Sequence, residues 1–129
     1  MTPVVLGERV LVVDDEPDVR ALLQDFLRPQ GYQVRGVGDG AAAVREILHE
    51  APNLVLLDID MPTLDGIDTL RAIRAIAPEV RIVMISGKAS LDVARRSLVH
   101  GAFDYITKPF DLEHLRDVVA TALFWDEPM

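Results

Sequence analysis

Five short runs rich in β-branched residues alternate with amphipathic helical patterns, and this alternation limits the possible folds more than any other feature. Leu54 to Leu57 is apolar without alternation, which is typical of a strand covered on both faces. Five strand–helix units in succession predict an α/β fold with a parallel sheet and helices on both faces. The predicted strands cover Arg9 to Val13, Tyr32 to Val37, Asn53 to Leu57, Arg81 to Ile85 and Phe103 to Thr107.

The segments between these runs carry apolar residues at helical spacing and have recognisable boundaries. Pro17 suits a first helical position, and the candidate N-caps are Asp39, Ser90 and Asp111. Helix ends are indicated by Pro29, Gly31 and Pro78. The two clearest apolar faces consist of Val19, Leu22, Leu23, Phe26 and Leu27, and of Leu112, Leu115, Val119, Ala122 and Leu123.

An acidic composition limits the partners of the chain. It has 21 Asp or Glu and 13 Lys or Arg residues, for a net charge of −8. A nucleic-acid surface needs a basic face, so this charge argues against direct contact with nucleic acid. Cysteine is absent, which excludes disulfides and thiolate metal sites and suits a reducing compartment.

The length and apolar content favour one cytoplasmic domain without a membrane segment. Half of the 129 residues are apolar, which is enough for a single core. No run approaches the ~18 apolar residues that a membrane span needs, and the start lacks the basic region of a signal peptide. We therefore expect a single domain over residues 1–129, with its core at about 8–124.

Polar side chains stand where the predicted strands end. Asp14 and Asp15 follow the first strand, Asp58 the third, Ser86 the fourth and Lys108 the fifth. Ligands of open α/β sheets bind outside the carboxyl ends of the strands, so we expect these side chains to converge. Three crowded carboxylates without His or Cys suit a hard divalent ion such as Mg²⁺. A carboxylate in such a site could act as a nucleophile towards a phosphoryl group, with Lys108 and Ser86 stabilising its oxygens.

Five short segments surround these strand ends: Val12 to Pro17, Asp58 to Pro62, Asp65-Gly66, Ser86-Gly87 and Tyr105 to Phe110. Together they resemble the response-regulator receiver family of two-component signalling, over about Arg9 to Leu123. No single segment is specific, but all of them occur here in the family's order.

The resemblance implies a role for each matching residue. Asp58 would be the phosphoacceptor. Mg²⁺ would be held by Asp14, Asp15, Asp58 and the backbone carbonyl of Asp60. Ser86 would be the switch hydroxyl and Tyr105 the switch aromatic, and Lys108 would precede a cis peptide bond to Pro109. The flavodoxin-like strand order 2-1-3-4-5 is likewise implied by the family.

The sequence departs from the family's usual pattern at a few positions that do not touch the chemistry. Ser86 stands where threonine is commoner, Gly38 where alanine is frequent and Ala42 where glutamate is frequent. Asp60 and Lys88 occupy rim positions that vary in the family and are expected to tune dephosphorylation.

The resemblance also implies partners and a limited catalytic role. A sensor histidine kinase or phosphotransfer protein would donate the phosphoryl group. The fourth helix, fifth strand and fifth helix would form a surface for an output domain or for self-association. Transfer and autodephosphorylation would be self-catalysed, so the chain would be a signalling domain rather than an enzyme. The mixed charges of this surface are Arg95, Arg96, Asp104, Glu113 and Arg116.

Parts of the sequence also suggest three other functions. A haloacid-dehalogenase-type phosphatase is suggested by Asp58-Ile59-Asp60, but that D-x-D motif normally follows the first strand. A calcium-binding loop starting at Asp14 would need Gly and Glu where Val19 and Asp25 stand. A receiver-like module that only docks would not need the acidic set with Lys108.

Overall fold

A five-stranded parallel sheet forms the centre of the protein in a computed structural model that describes residues 7–61 and 66–124. The strand order is β2-β1-β3-β4-β5, and all four neighbouring pairs are parallel. The predicted fold class and strand order are therefore confirmed. The strands are β1 (Arg9–Val13), β2 (Gln33–Val37), β3 (Leu54–Asp58), β4 (Arg81–Ser86) and β5 (Asp104–Thr107).

Within the described ranges, five α-helices follow the strands in alternation. They are α1 (Pro17–Leu27), α2 (Gly40–His49), α3 (Gly66–Ile76), α4 (Leu91–Ser97) and α5 (Leu112–Phe124). Short 3₁₀ turns extend α1 and α4 and precede α4, at Arg28–Gln30, Leu98–His100 and Lys88–Ser90. In this part of the chain, none of the helices combines the length and the hydropathy of a membrane span.

The predicted strand bounds are correct to one residue at each end. β3 and β4 each run one residue further than predicted, so Asp58 and Ser86 are the last residues of their strands rather than the first after them. β2, β3 and β5 each begin one residue later than predicted. This extension by one residue matters because the sheet holds the backbone of Asp58 and Ser86 in a fixed position.

Two hydrophobic cores lie on opposite faces of the sheet. Alternate residues of the central strands point to each face, so Leu11 and Leu57 join the core under α2, α3 and α4, whereas Val12 and Leu56 join the core under α1 and α5. All five residues of β3 are buried. Asp58 therefore ends a strand that has no solvent-facing side.

Most helix boundaries follow the sequence signals. Pro17 is at the start of α1, and Gly31 ends the following turn with a left-handed φ of 100°. The Asp39 carboxylate accepts the Ala42 N–H at 2.7 Å, and Asp111 accepts the His114 N–H at 3.2 Å. Ser90 occupies the predicted N-cap position of α4, but its side chain makes no capping hydrogen bond.

Two residues of the predicted apolar helix faces are not in the core. Leu22 is 43% exposed and Leu112 is 37% exposed, whereas Leu23, Leu27, Leu115 and Val119 are fully buried. Leu22 and Leu112 lie at the edges of their apolar stripes, where the helix surface turns away from the sheet.

Candidate functional site

The candidate site lies at the carboxyl ends of β1 and β3, which are neighbours in the sheet. From β1 the chain continues to β2 on one side and later to β3 on the other, so the crevice beyond these strand ends is the switch point of the topology. Asp14 follows β1 directly and Asp58 ends β3. Parallel pairing thus brings two carboxylates from distant parts of the chain to one edge.

Three carboxylates meet in this crevice. Oxygen atoms of Asp14, Asp15 and Asp58 all lie within 4.8 Å of one another. Asp14 and Asp58 are buried, with 0% and 1% of their surface exposed, while Asp15 is exposed at the mouth. The donor set consists only of carboxylate oxygens and opens to solvent on one side, which fits a hard divalent cation that keeps part of its water shell.

Lys108 places its ammonium group beside the two buried carboxylates. Its Nζ lies 3.3 Å from Asp14 Oδ2 and 3.2 Å from Asp58 Oδ2. The backbone N–H of Lys108 donates to the Ser86 carbonyl at 2.8 Å, which fixes the segment after β5 against β4. The Lys108–Pro109 peptide bond is cis, as the resemblance implies. The predicted convergence of Asp14, Asp15, Asp58 and Lys108 is therefore present in the structure.

The environment disfavours the charged form of Asp58. Burial raises the pKa of the Asp58 carboxyl above its ordinary value of 3.8, and the charge of Asp14 raises it further. The Asp60 N–H, which donates to Asp58 Oδ1 at 2.9 Å, and the Lys108 ammonium act in the opposite direction. Burial by itself would lower the pKa of Lys108, but the charges of Asp58 and Asp14 outweigh it and raise that pKa. Lys108 is therefore a cation at neutral pH.

Ser86 and Tyr105 lie beside the crevice without contacting its carboxylates in any described hydrogen bond. Ser86 is fully buried at the end of β4, and its hydroxyl lies 2.6 Å from the Gly87 carbonyl and 2.9 Å from Ser90 Oγ. Tyr105 in β5 is half-buried and packs against the core under α2, α3 and α4. The switch roles of Ser86 and Tyr105 stay predictions.

Three contacts around the site were not anticipated from the sequence. Arg20 in α1 donates from Nη1 to the Asp14 carbonyl at 2.7 Å. The carboxylate of Asp60 accepts hydrogen bonds from Gly87 and Ser90 on the next loop. A partial signal for Arg20 was available in Gly36, the glycine of β2, because it leaves room for the Arg20 side chain. No local pattern indicated the pairing of Asp60 with Ser90.

The structure does not test every residue of the matching motifs. The role of the Asp60 backbone carbonyl as a metal ligand stays a prediction. The backbone hydrogen bond observed at Asp60 is made by its N–H, which donates to Asp58. Pro62 of the segment Asp58 to Pro62 and Asp65 of the pair Asp65-Gly66 lie outside the described residues.

A family model for the response regulator receiver domain matches residues 10–120. The chain belongs to this family. It is a receiver domain of the two-component response-regulator type, with its acidic pocket at Asp14, Asp15 and Asp58. The response-regulator resemblance is therefore confirmed.

Individual relatives agree with this family. Sporulation initiation phosphotransferase F of Bacillus subtilis is 34% identical over 114 residues, which cover 88% of this chain and 92% of that protein. The transcriptional regulatory protein PrrA of Mycobacterium tuberculosis is 42% identical over 111 residues, covering 86% of this chain but only 48% of that protein. The crystal structure of the NtrX receiver domain from Brucella abortus has a TM-score of 0.86 at 39% identity and covers 91% of this chain and 99% of that one. The receiver domain thus spans about half of PrrA and nearly all of the phosphotransferase.

Proposed function

We propose that this receiver domain accepts a phosphoryl group on the Asp58 carboxylate, in the presence of Mg²⁺, from a sensor histidine kinase or phosphotransfer protein. The observation that carries the proposal is the position of Lys108 Nζ, 3.2 Å from Asp58 and 3.3 Å from Asp14. An ammonium there can contact a phosphoryl oxygen on Asp58 without leaving its present partners.

In this proposal Mg²⁺ is held by Asp14, Asp15, Asp58 and the backbone carbonyl of Asp60. The carboxylate oxygens support this assignment because they lie within 4.8 Å of one another and because oxygen-only sites suit Mg²⁺. The bound ion would supply charge neutralisation for the phosphoryl oxygens. The exposed position of Asp15 leaves the water-filled side of the site open for a donor to approach.

In the phosphoryl transfer, the covalent change in the protein is limited to one new bond on Asp58. An oxygen of Asp58 forms a bond to phosphorus, the phosphorus–nitrogen bond of the donor phosphohistidine breaks, and the imidazole leaves with the electron pair. Lys108 keeps its protons and stabilises negative charge, while the Asp60 N–H holds the Asp58 carboxylate in place. Autodephosphorylation by water completes a self-catalysed cycle, so the domain acts on its own side chain only.

Phosphorylation would then be transmitted to the surface of α4, β5 and α5. The Ser86 hydroxyl would turn to the phosphoryl group, and Tyr105 would move in response, which is a population shift between two states. This surface would bind an output domain or a second copy of the chain. Its charged residues include the exposed Arg95, Arg96, Glu113 and Arg116 and the half-buried Asp104.

Two wider assignments belong to the same proposal. Residues 8–124 would constitute one domain, since both cores share the single sheet. It would act in the cytoplasm, where the phosphoryl donors of such systems act. The absence of cysteine is compatible with this reducing compartment.

The phosphatase and docking-only alternatives are less well supported. Asp58-Ile59-Asp60 lies at the end of β3, the third strand, and not after the first as a haloacid-dehalogenase motif would. A docking module would have no use for two buried carboxylates beside a lysine, because such groups are expensive to bury.

Incubation with acetyl phosphate and Mg²⁺, followed by intact mass measurement, tests the proposal. We expect one phosphoryl adduct in the native protein, none in Asp58→Asn, and an undiminished adduct in Asp25→Asn, which changes an exposed aspartate of α1. Absence of an adduct in the native protein, or an equal adduct in Asp58→Asn, would refute the assignment. Sustained turnover of p-nitrophenyl phosphate would instead favour the phosphatase.

A further inference from the structure

The side chain of Asp60 connects the end of β3 with the loop between β4 and α4. Its Oδ2 accepts the Gly87 N–H at 2.8 Å, and its Oδ1 accepts the Ser90 hydroxyl at 2.6 Å. Both are hydrogen bonds to a charged acceptor, which are stronger than bonds between neutral groups. They cross 27 and 30 residues of sequence, so they are tertiary contacts and not features of one turn.

These contacts extend to the Ser86 hydroxyl. The single proton of Ser90 is used on Asp60, so Ser90 Oγ remains an acceptor for Ser86 at 2.9 Å. The other acceptor within reach of Ser86 is the Gly87 carbonyl at 2.6 Å. In either case the Ser86 proton is held within the loop and is not directed to Asp58. When Ser86 donates to Ser90, a chain of hydrogen bonds leads from Asp60 through Ser90 to Ser86. When it donates to the Gly87 carbonyl, Ser86 is linked to Asp60 through Gly87, whose N–H donates to Asp60.

The loop approaches Asp60 very closely. A Cβ atom at position 87 would lie 3.2 Å from Asp60 Oδ2, which is tighter than an ordinary van der Waals contact. A side chain at this position would require the Asp60 carboxylate to shift by a few tenths of an ångström.

From this network we propose that the Asp60 carboxylate is a latch that holds the β4–α4 loop, and with it Ser86, in the unphosphorylated arrangement. The inference rests on the proposed function, because only that function requires Ser86 to turn to Asp58. A phosphoryl group on Asp58 carries about −1.5 to −2 charge in place of the single charge of the carboxylate, two residues from Asp60, and it competes for the Ser86 hydroxyl. Repulsion and competition together release the latch. Asp60 is thus a positioning residue, which acts through Gly87, Ser90 and Ser86.

Amide hydrogen exchange of the unphosphorylated protein without Mg²⁺ tests the latch directly. We expect Asp60→Ala to lower the protection of the Gly87 N–H about three- to tenfold, a moderate loss because Asp60 is exposed and solvent competes for its bonds. Protection of the Val12 and Leu56 amides in the sheet should stay unchanged, which shows that the fold is intact. Asp92→Ala removes an exposed carboxylate from the start of α4, outside the network, and should leave Gly87 as it is. Unchanged Gly87 protection in Asp60→Ala overturns the proposal.

A second variant tests the consequence for the switch. Ser90→Ala leaves the three carboxylates and Lys108 untouched but removes the link from Asp60 to Ser86 that runs through Ser90. We expect it to need severalfold less beryllium fluoride, a mimic of a phosphoryl group, to convert the loop resonances to their bound positions. An equal or higher requirement contradicts the latch. Failure of the native protein to bind the mimic at all would count against the proposed function, whereas the exchange experiment would still decide the latch.

Discussion

Lys108 Nζ lies 3.2 Å from Asp58 Oδ2, although the two residues are 50 positions apart in the chain. The same nitrogen is 3.3 Å from Asp14 Oδ2, so one ammonium group serves two carboxylates that solvent hardly reaches. Two buried negative charges without a cation would be strongly unfavourable. The lysine therefore stabilises the resting site as well as taking part in the proposed transfer.

Removal of this cation should destabilise the protein. Lys108→Ala leaves Asp14 and Asp58 facing each other, and we expect a loss of about 1–3 kcal/mol in the free energy of unfolding without divalent ions. The figure is below that for a fully buried pair because the Lys108 side chain is 24% exposed. Urea denaturation in EDTA measures it, with the exposed Lys88→Ala as control. Mg²⁺ should restore part of the loss, and a stability equal to that of the native protein would contradict the argument.

Lys108→Ala should also weaken the conformational response that follows phosphorylation of Asp58. If Lys108 couples the phosphoryl group to the rest of the site, Lys108→Ala treated with beryllium fluoride should show a reduced shift of the Tyr105 and α4 resonances. Heteronuclear NMR spectra at equal occupancy of Asp58 measure the shift. An unaltered response would contradict the role of Lys108.

Neutralising the phosphoacceptor should stabilise the metal-free protein. Burial and Asp14 raise the pKa of Asp58 in the folded state, so the folded protein holds this proton more tightly than the unfolded chain. Stability therefore falls as pH rises from the unfolded pKa through the higher folded pKa, and the cost is complete above it. Asp58→Asn should raise the melting temperature at pH 7 in EDTA, and this gain should shrink as pH falls towards the ordinary value of 3.8. Thermal melts of the variant and the native protein at a series of pH values measure this gain. A melting temperature of Asp58→Asn below that of the native protein at pH 7 would contradict the argument.

Mg²⁺ should stabilise the receiver domain through the acidic trio. At a concentration 100 times its dissociation constant, an ion that binds only the folded state adds about 2.7 kcal/mol. Asp15→Ala removes one of the three carboxylates at the mouth of the crevice and should abolish most of this gain. Asp18→Ala changes a nearby exposed carboxylate of α1 and should keep it. Melting curves with and without Mg²⁺ measure both, and equal gains in the two variants would count against the metal site.

A substitution on β2 should reach the site through Arg20. A Cβ atom at Gly36 would lie 2.9 Å from Gln24 Nε2 and 3.1 Å from Arg20 Cδ, so Gly36→Val must displace the side chain that donates to the Asp14 carbonyl. We expect weaker Mg²⁺ binding with little loss of stability, because Gln24 Nε2 and Arg20 Cδ belong to flexible side chains that can move aside. Gly38→Ala is the control, since its Cβ would be 3.4 Å from Arg20 Nη1, close to an ordinary contact. Calorimetric titration with Mg²⁺ would show unchanged affinity in Gly36→Val if Arg20 does not position Asp14.

Much of the fold was predictable because its signals are local. The apolar run before Asp58 and the β-branched run before Ser86 located β3 and β4 to within one residue. The carboxyl ends of parallel strands share one edge of a sheet, so strand positions alone predicted that Asp14, Asp58 and Lys108 would converge. The strand order came from the family resemblance, because nothing in the pattern of a strand states which strand lies next to it.

What the sequence by itself determined was therefore the set of elements, the two-sided burial of β3 and the residues delivered to the rim. Tertiary structure decided which groups on neighbouring loops contact one another, including Arg20 with Asp14 and Asp60 with Gly87 and Ser90. Periodicity carries no information about such pairs, because loop residues have no repeating direction and their distances depend on how the sheet holds each strand end. For that reason the sequence predicted the position of Ser90 at the N-cap of α4, but not that its hydroxyl donates to a carboxylate 30 residues away.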